Sequence, residues 1–124
     1  MDEAPRLNQY ERVDHRGRFI EILASGTWET VIFGQMKPGA VLGNHYHKLT
    51  RLFFYLTAGR VDVDVVRVSD HTRRRVSLRG GEGAFLETGE AHAVRFRESS
   101  EFILVKSRRH DPSDTYAYEV KEER

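Results

Sequence analysis

Between positions 60 and 68 the chain reads R-V-D-V-D-V-V-R-V, with Val61, Val63 and Val65 alternating against Asp62 and Asp64. A period of two places the valines on one face of a β-strand and the aspartates on the other, a half-buried strand with one wet side. Nowhere in the 124 residues does the 3.6-residue apolar period of an amphipathic helix persist. Strands are predicted over 19–23, 30–36, 52–57, 76–78, 84–86, 92–96 and 102–106, and one more through His45 and His47. Between them lie stretches of turn composition, such as Asp14-His15-Arg16-Gly17, Lys37-Pro38-Gly39 and Glu87-Thr88-Gly89-Glu90. Roughly nine or ten short strands with turns every ~8 to 12 residues predict an all-β sandwich or barrel.

The length suits one domain over 1–124, with a polar arm or first short strand over about 1–12 and a polar tail over about 108–124. Hydrophobic residues make up 39% and charged residues 31%, which argues against disorder. With 20 basic and 19 acidic residues the net charge is +1, so nothing in bulk draws the chain to nucleic acid or membrane. The absence of cysteine excludes disulfides, thiolate metal sites and a cysteine nucleophile. The first residues, MDEAPRLNQY, lack a basic-then-apolar signal pattern, and no apolar run reaches membrane-spanning length. A cytoplasmic protein is expected.

The residues that carry chemistry are histidines. His45 and His47 are two apart on a predicted strand, so both imidazoles point to one face and Tyr46 to the other. The spacing G-x5-H-x-H-x4-L-x6-G from Gly39 to Gly59, followed by G-x5-E-x-G-x2-H from Gly81 to His92, resembles the two motifs of the cupin superfamily. The resemblance implies a double-stranded β-helix, the jelly-roll barrel, in which His45, His47 and His92 converge. This sequence departs from the pattern twice. Leu52 stands where cupins usually carry a metal-binding glutamate, and Glu87 where they usually carry proline. Three neutral imidazoles can hold one divalent metal (Zn, Fe, Mn or Ni), but loss of the carboxylate weakens such a site, and Glu87 sits in a turn.

A third segment, Asp14-His15-Arg16-Gly17-Arg18-Phe19-Ile20-Glu21, has the form D-x-R-G-x-F-x-E. It is similar to the amino-terminal signature of RmlC-like cupins that modify nucleotide-linked deoxysugars. These are the dTDP-4-keto-sugar 3,5-epimerases, the 3,4-ketoisomerases and the cupin domain of capsule-polysaccharide reductases. The resemblance implies proton abstraction beside a ketone, with His45 as base and His47 as its partner or a metal ligand. Arg16 would meet the substrate diphosphate, with Glu21, Arg51 and Glu87 as further substrate contacts. Two other classes stay open: a metal-dependent cupin enzyme using His45, His47 and His92, and a non-catalytic small-molecule-binding cupin.

Plainer readings stand beside these. Arg16 and Glu21 also suit an ordinary turn arginine and a strand-edge carboxylate paired with each other. Arg73-Arg74-Arg75 suits a solvated face, with no aromatic interleaving for nucleic acid. His15, His71 and His110 lie in polar, turn-rich segments and are expected at the surface. Phe19, Ile32, Phe54, Leu56 and Phe85 are core candidates, while Trp28 and Tyr55 suit packing between sheets or subunits. A homodimer is expected from the cupin resemblance and from strand edges that need cover.

Overall fold

The computed structural model describes residues 1–123. It contains twelve strands, β1 (Asp2–Glu3), β2 (Tyr10–Asp14), β3 (Gly17–Glu21), β4 (Thr30–Met36), β5 (Val41–Tyr46), β6 (Leu52–Ala58), β7 (Arg60–Arg67), β8 (Arg73–Arg79), β9 (Glu82–Leu86), β10 (Glu90–Phe96), β11 (Ser100–Lys106) and β12 (Tyr116–Ala117). A single 3-10 turn, Pro112–Asp114, precedes β12. None of the described residues forms a helix long and apolar enough to cross a membrane.

A six-stranded sheet in the order β1-β8-β7-β10-β5-β12 faces a four-stranded sheet in the order β4-β11-β6-β9. The core lies between them. Leu52, Phe54 and Leu56 of β6, with Phe102 of β11 and Leu86 of β9, pack against Val61, Val63 and Val65 of β7, Leu78 of β8 and Phe96 of β10. The valine–aspartate alternation therefore does what its period dictates on the inner side.

The outer side departs from expectation, because the aspartate face is not wet. Asp64 is 4% exposed and receives Arg75 through Nε at 2.7 Å and Arg95 through Nε at 2.7 Å. The segment after β12 crosses this face, with the Val120 carbonyl accepting from Arg95 and Glu122 paired to Arg75 and Arg97. The arginine run 73–75 is likewise no free solvated face, since Arg74 chelates Glu90 and Arg75 chelates Asp64. What composition suggested as a polar tail is a strap. It adds β12 to β5, buries Val120 and seats Tyr116 against Tyr46 with ring centroids 5.2 Å apart.

Strands β2 and β3 form a separate two-stranded hairpin. Phe19, expected in the core, is 57% exposed there beside Tyr10. Ile32 reaches the edge of the inner space and stays partly exposed, and Phe85 is half-buried on the outside of β9. Trp28 packs within its own chain, stacked on Phe85 with its indole N–H donating to the Ser25 carbonyl. Tyr55 also packs internally, its hydroxyl donating to Asn8 Oδ1 at 2.9 Å.

Candidate active site

The histidines meet because β5 carries a bulge. His45 pairs with His92 across the β5–β10 ladder, and Ala93 pairs with Gly43, so Asn44 is the extra residue. Gly43 (φ +108°) and Asn44 (φ +58°) supply the left-handed backbone this requires. At Gly43 a Cβ would sit 2.4 Å from the His92 carbonyl oxygen, so only glycine lets the two strands approach this closely. The carboxy-terminal strap pins the bulge: Tyr118 N–H donates to the Asn44 carbonyl and Val120 N–H to Asn44 Oδ1.

The three imidazoles form one cluster, with ring centroids 4.9 Å apart for His45–His92, 5.0 Å for His45–His47 and 6.2 Å for His47–His92. Hydrogen bonds orient each ring. His47 Nδ1 lies 2.6 Å from the Asp114 carbonyl and His92 Nδ1 lies 3.3 Å from the Glu90 carbonyl. A carbonyl only accepts, so Nδ1 carries the proton in both rings and Nε2 is the nitrogen left free in each. Burial pushes the His92 pKa down to about 3, reinforced by neighbouring His45. His45 is also held below the usual imidazole range, by burial first and then by His47 and Lys106, against a hydrogen bond to the Gly43 backbone. At neutral pH both are uncharged bases.

Asp114 holds His47 in place. Its carboxylate accepts from Lys48 N–H at 2.9 Å, Leu49 N–H at 3.1 Å and the Thr50 hydroxyl at 2.7 Å. Burial raises this carboxyl, but the three donors together outweigh it and keep the group below the ordinary carboxylate range. The loop after β5 and the strap are thereby tied together at the residue whose carbonyl orients the imidazole.

The cluster opens into a cavity of about 210 Å³ lined mainly by apolar side chains, among them Leu42, Leu52, Phe54, Val94 and Leu104. Drug-sized ligands occupy roughly 300–1,000 Å³, so this space suits a single sugar ring rather than a whole nucleotide sugar. Lys106 and His110 line its mouth, with Lys106 Nζ 3.2 Å from His110 Nδ1. His110 is exposed, as expected, and also borders the cavity rim. Arg51 and Glu87 do not line the cavity. They pair with each other at 2.7 Å on the outside, where the Arg51 guanidinium also sits 4.2 Å from the Phe85 ring. Arg16 and Glu21 lie on the hairpin, away from the histidines. Arg16 is 70% exposed and its partner is Asp14, at 2.7 Å, not Glu21.

The donor set can be tested against a resident divalent metal. Among the described residues no three histidine, aspartate or glutamate side chains are disposed to hold one ion. Leu52, at the position of the cupin carboxylate, is 2% exposed and faces the cavity, and the cation of Lys106 lines the same space. Three imidazoles with no anion beside them and a nearby ammonium do not fit a dication.

Two facing β-sheets with a histidine triad aimed into the space between them define a jelly-roll cupin of the RmlC-like type. The sequence profile described as polysaccharide biosynthesis C-terminal domain matches residues 12–121, and the chain belongs to that family. Among solved structures it is similar to the capsular polysaccharide assembling protein CapF from Staphylococcus aureus, at 26% identity and a TM-score of 0.69, over 90% of this chain and 34% of that one. The chain thus spans about a third of CapF's length. The RmlC epimerase of Mycobacterium tuberculosis shares the fold, at 19% identity and a TM-score of 0.77 over 90% of this chain and 66% of that one. So does a 3,4-ketoisomerase from Helicobacter canadensis, at 17% identity and a TM-score of 0.71 over 88% of this chain and 86% of that one. No curated protein sequence matches the chain.

Proposed function

We propose that the chain acts on a nucleotide-linked keto-deoxysugar by removing a proton from the carbon beside the ketone, as an epimerase or ketoisomerase. The observation that carries this reading is the placement of two imidazoles, the uncharged base His45 and its neighbour His47, against one small apolar cavity of sugar-ring size. A neutral imidazole is matched to this task at neutral pH, and apolar surroundings keep competing water away. His45 takes the proton, the electron pair passes to the carbonyl oxygen, and His47, held by Asp114, returns from Nε2 a proton drawn from solvent to the other face or to the neighbouring carbon, after which His45 releases its proton to solvent. Structures that share the fold are described as a 4-keto-6-deoxy sugar epimerase, a dTDP-4-dehydrorhamnose 3,5-epimerase and a 3,4-ketoisomerase in complex with TDP, which supports a nucleotide-sugar substrate.

In this reading the nucleotide lies outside the cavity mouth and the protein works in the cytoplasm as a homodimer. Val31 and Phe33 on the outer face of β4, 72% and 61% exposed, are the apolar surface a second copy would cover. Arg16 serves as a diphosphate partner only within such an assembly, because its hairpin does not border the cavity of its own chain. The buried Leu52 favours a second reading, a binding cupin without catalysis. The test is incubation with dTDP-, UDP- and GDP-linked 4-keto-sugars in deuterium oxide, with and without chelator, followed by mass and proton spectra. Deuterium at a carbon flanking the ketone, insensitive to chelator and lost in His45→Gln, is the expected result. Binding of these sugars without exchange would favour the second reading, and neither binding nor exchange would overturn both.

A further inference from the structure

The position of Lys106 is not explained by packing. Phe102, Leu104 and Lys106 alternate along β11 and all three line the histidine cavity, so the lysine stem follows the inward face of its strand. Across the β11–β6 ladder Lys106 pairs directly with Leu52. The residue that replaces the cupin carboxylate and an inward cation are therefore cross-strand neighbours, with side chains on the same face. Cations elsewhere are well matched: Arg74, Arg75, Arg95 and Arg97 each pair with buried or half-buried carboxylates. Lys106 has no acidic partner among the described residues. Its one polar contact is His110 Nδ1 at 3.2 Å, an acceptor when that ring is neutral. Burial pulls its pKa below the usual lysine value, as happens to an ammonium in apolar surroundings that lacks an anion. It is also close enough to His45 for its charge to be felt there.

An unpaired ammonium facing an uncharged base across a small apolar space is an arrangement waiting for an oxyanion. We propose that Lys106 is a catalytic residue that donates a hydrogen bond to the substrate's carbonyl oxygen and stabilises the negative charge formed there. The assignment rests on the keto-sugar reading above and adds the second half of its chemistry. As His45 removes the proton, the C–H bond breaks, its electron pair forms a C=C bond, and the carbonyl π pair moves onto oxygen. The resulting enolate lies against the ammonium. Reprotonation of carbon by the partner imidazole returns the pair and regenerates the ketone, and solvent takes the proton from His45 and replaces the one given by its partner, so no oxidant or reductant is needed. His110 holds the ammonium at the mouth until the carbonyl arrives. In a water-poor site a fixed cation of this kind is worth far more than in bulk water.

Two measurements test this with wild type and Lys106→Met, which keeps the stem and removes the charge; Lys106→Gln substitutes if the methionine variant does not melt cooperatively. The first uses 4-nitrophenol, a planar, sugar-ring-sized probe whose yellow phenolate resembles an enolate. Wild type should take up the phenolate in preference to the phenol, so that bound probe is yellow where free probe is mostly colourless, and the variant should lose about tenfold or more of that preference. An equal phenolate preference in both proteins, or no uptake of either form by wild type, overturns the proposal. The second is deuterium exchange into a nucleotide 4-keto-sugar. The variant should lose about 10²–10³-fold in kcat with KM nearly unchanged, and Lys106→Arg should recover part of it. If wild type exchanges and Lys106→Met exchanges equally fast, the Lys106 assignment falls and the keto-sugar reading stands. If no sugar exchanges while phenolate preference still depends on Lys106, the sugar reading falls and the oxyanion site stands.

Discussion

Asp114 offers a quantitative test of the way the strap builds the site. Replacing it with alanine removes the acceptor of three hydrogen bonds, from Lys48 N–H, Leu49 N–H and the Thr50 hydroxyl, at a position 3% exposed. Hydrogen bonds to a charged group contribute about 1.5–3 kcal/mol each, and donors left buried without partners add their own cost. These contributions overlap, so the expected loss is about 4 kcal/mol rather than the full sum. Asp114→Asn keeps one acceptor oxygen for the backbone donors and should cost about 1–2 kcal/mol. For a chain of this size each kcal/mol is roughly 4 °C in Tm, so the alanine variant should melt roughly 16 °C lower and the asparagine variant roughly 6 °C lower. Thermal and urea melts, with nitrogen chemical shifts of the His47 ring read alongside, are the assay. The folded carboxyl is held below its unfolded value of 3.8, so its contribution is fully present above that pH and disappears as pH falls through the lower folded value. The gap between wild type and Asp114→Asn should therefore be wide near neutrality and narrow at about pH 3. An alanine variant within about 1 kcal/mol of wild type would refute the reasoning.

The pH dependence of exchange gives a second check. Because His45 is lowered from 6.5, its unprotonated form persists into mild acid, and the acidic limb of kcat/KM should fall below that value; a limb at or above it contradicts His45 as base. Removing the charge of Lys106 makes the imidazolium easier to form, so in Lys106→Met the same limb should move upward. Gly43→Ala should destabilise by about 2–4 kcal/mol, because a side chain at φ +108° also meets the His92 carbonyl, and a urea melt like wild type would show that the bulge is not needed. Zinc titration of wild type should show no stoichiometric tight site, whereas Leu52→Glu combined with Lys106→Met, which restores the carboxylate and removes the cation, should gain one. Tight zinc binding by wild type would refute the donor-set reasoning.

Much of the inner architecture was legible because parity in a strand is a local property. The spacing of His45, His47 and His92 and the valines of β7 point inward for the same reason, and the limits of β4 follow from its β-favouring run between turns. By that parity Lys106 was also readable, as the next inward position after Phe102 and Leu104. What local pattern does not carry is which outer face another segment covers. Asp64 alternates like a wet residue and is buried by a strap more than fifty residues away in sequence. Asp114 sits in a polar stretch that looks like a tail, and its donors lie 64 to 66 positions earlier. Phe19 reads as core from composition alone, yet its hairpin projects beyond the two sheets. Arg16, Arg51 and Glu87 were placed by motif, and their actual partners are Asp14 and each other.

Strand β5, which carries the bulge and leads into His47, lies between β10 and β12. Both neighbours are made in the last third of the chain. During synthesis the histidine strand therefore emerges about forty-five residues before its first partner and about seventy before its second, with backbone donors and acceptors unmet in the interval. Pairings of such long loops close late, and folds dominated by them reach the native state in roughly milliseconds to seconds rather than microseconds. The histidine cluster should be among the last parts to become ordered after dilution from denaturant, trailing the β7–β8 hairpin whose strands are adjacent in sequence. A ribosome stalled before residue 90 would hold out an unpaired edge, an open invitation to a second nascent chain.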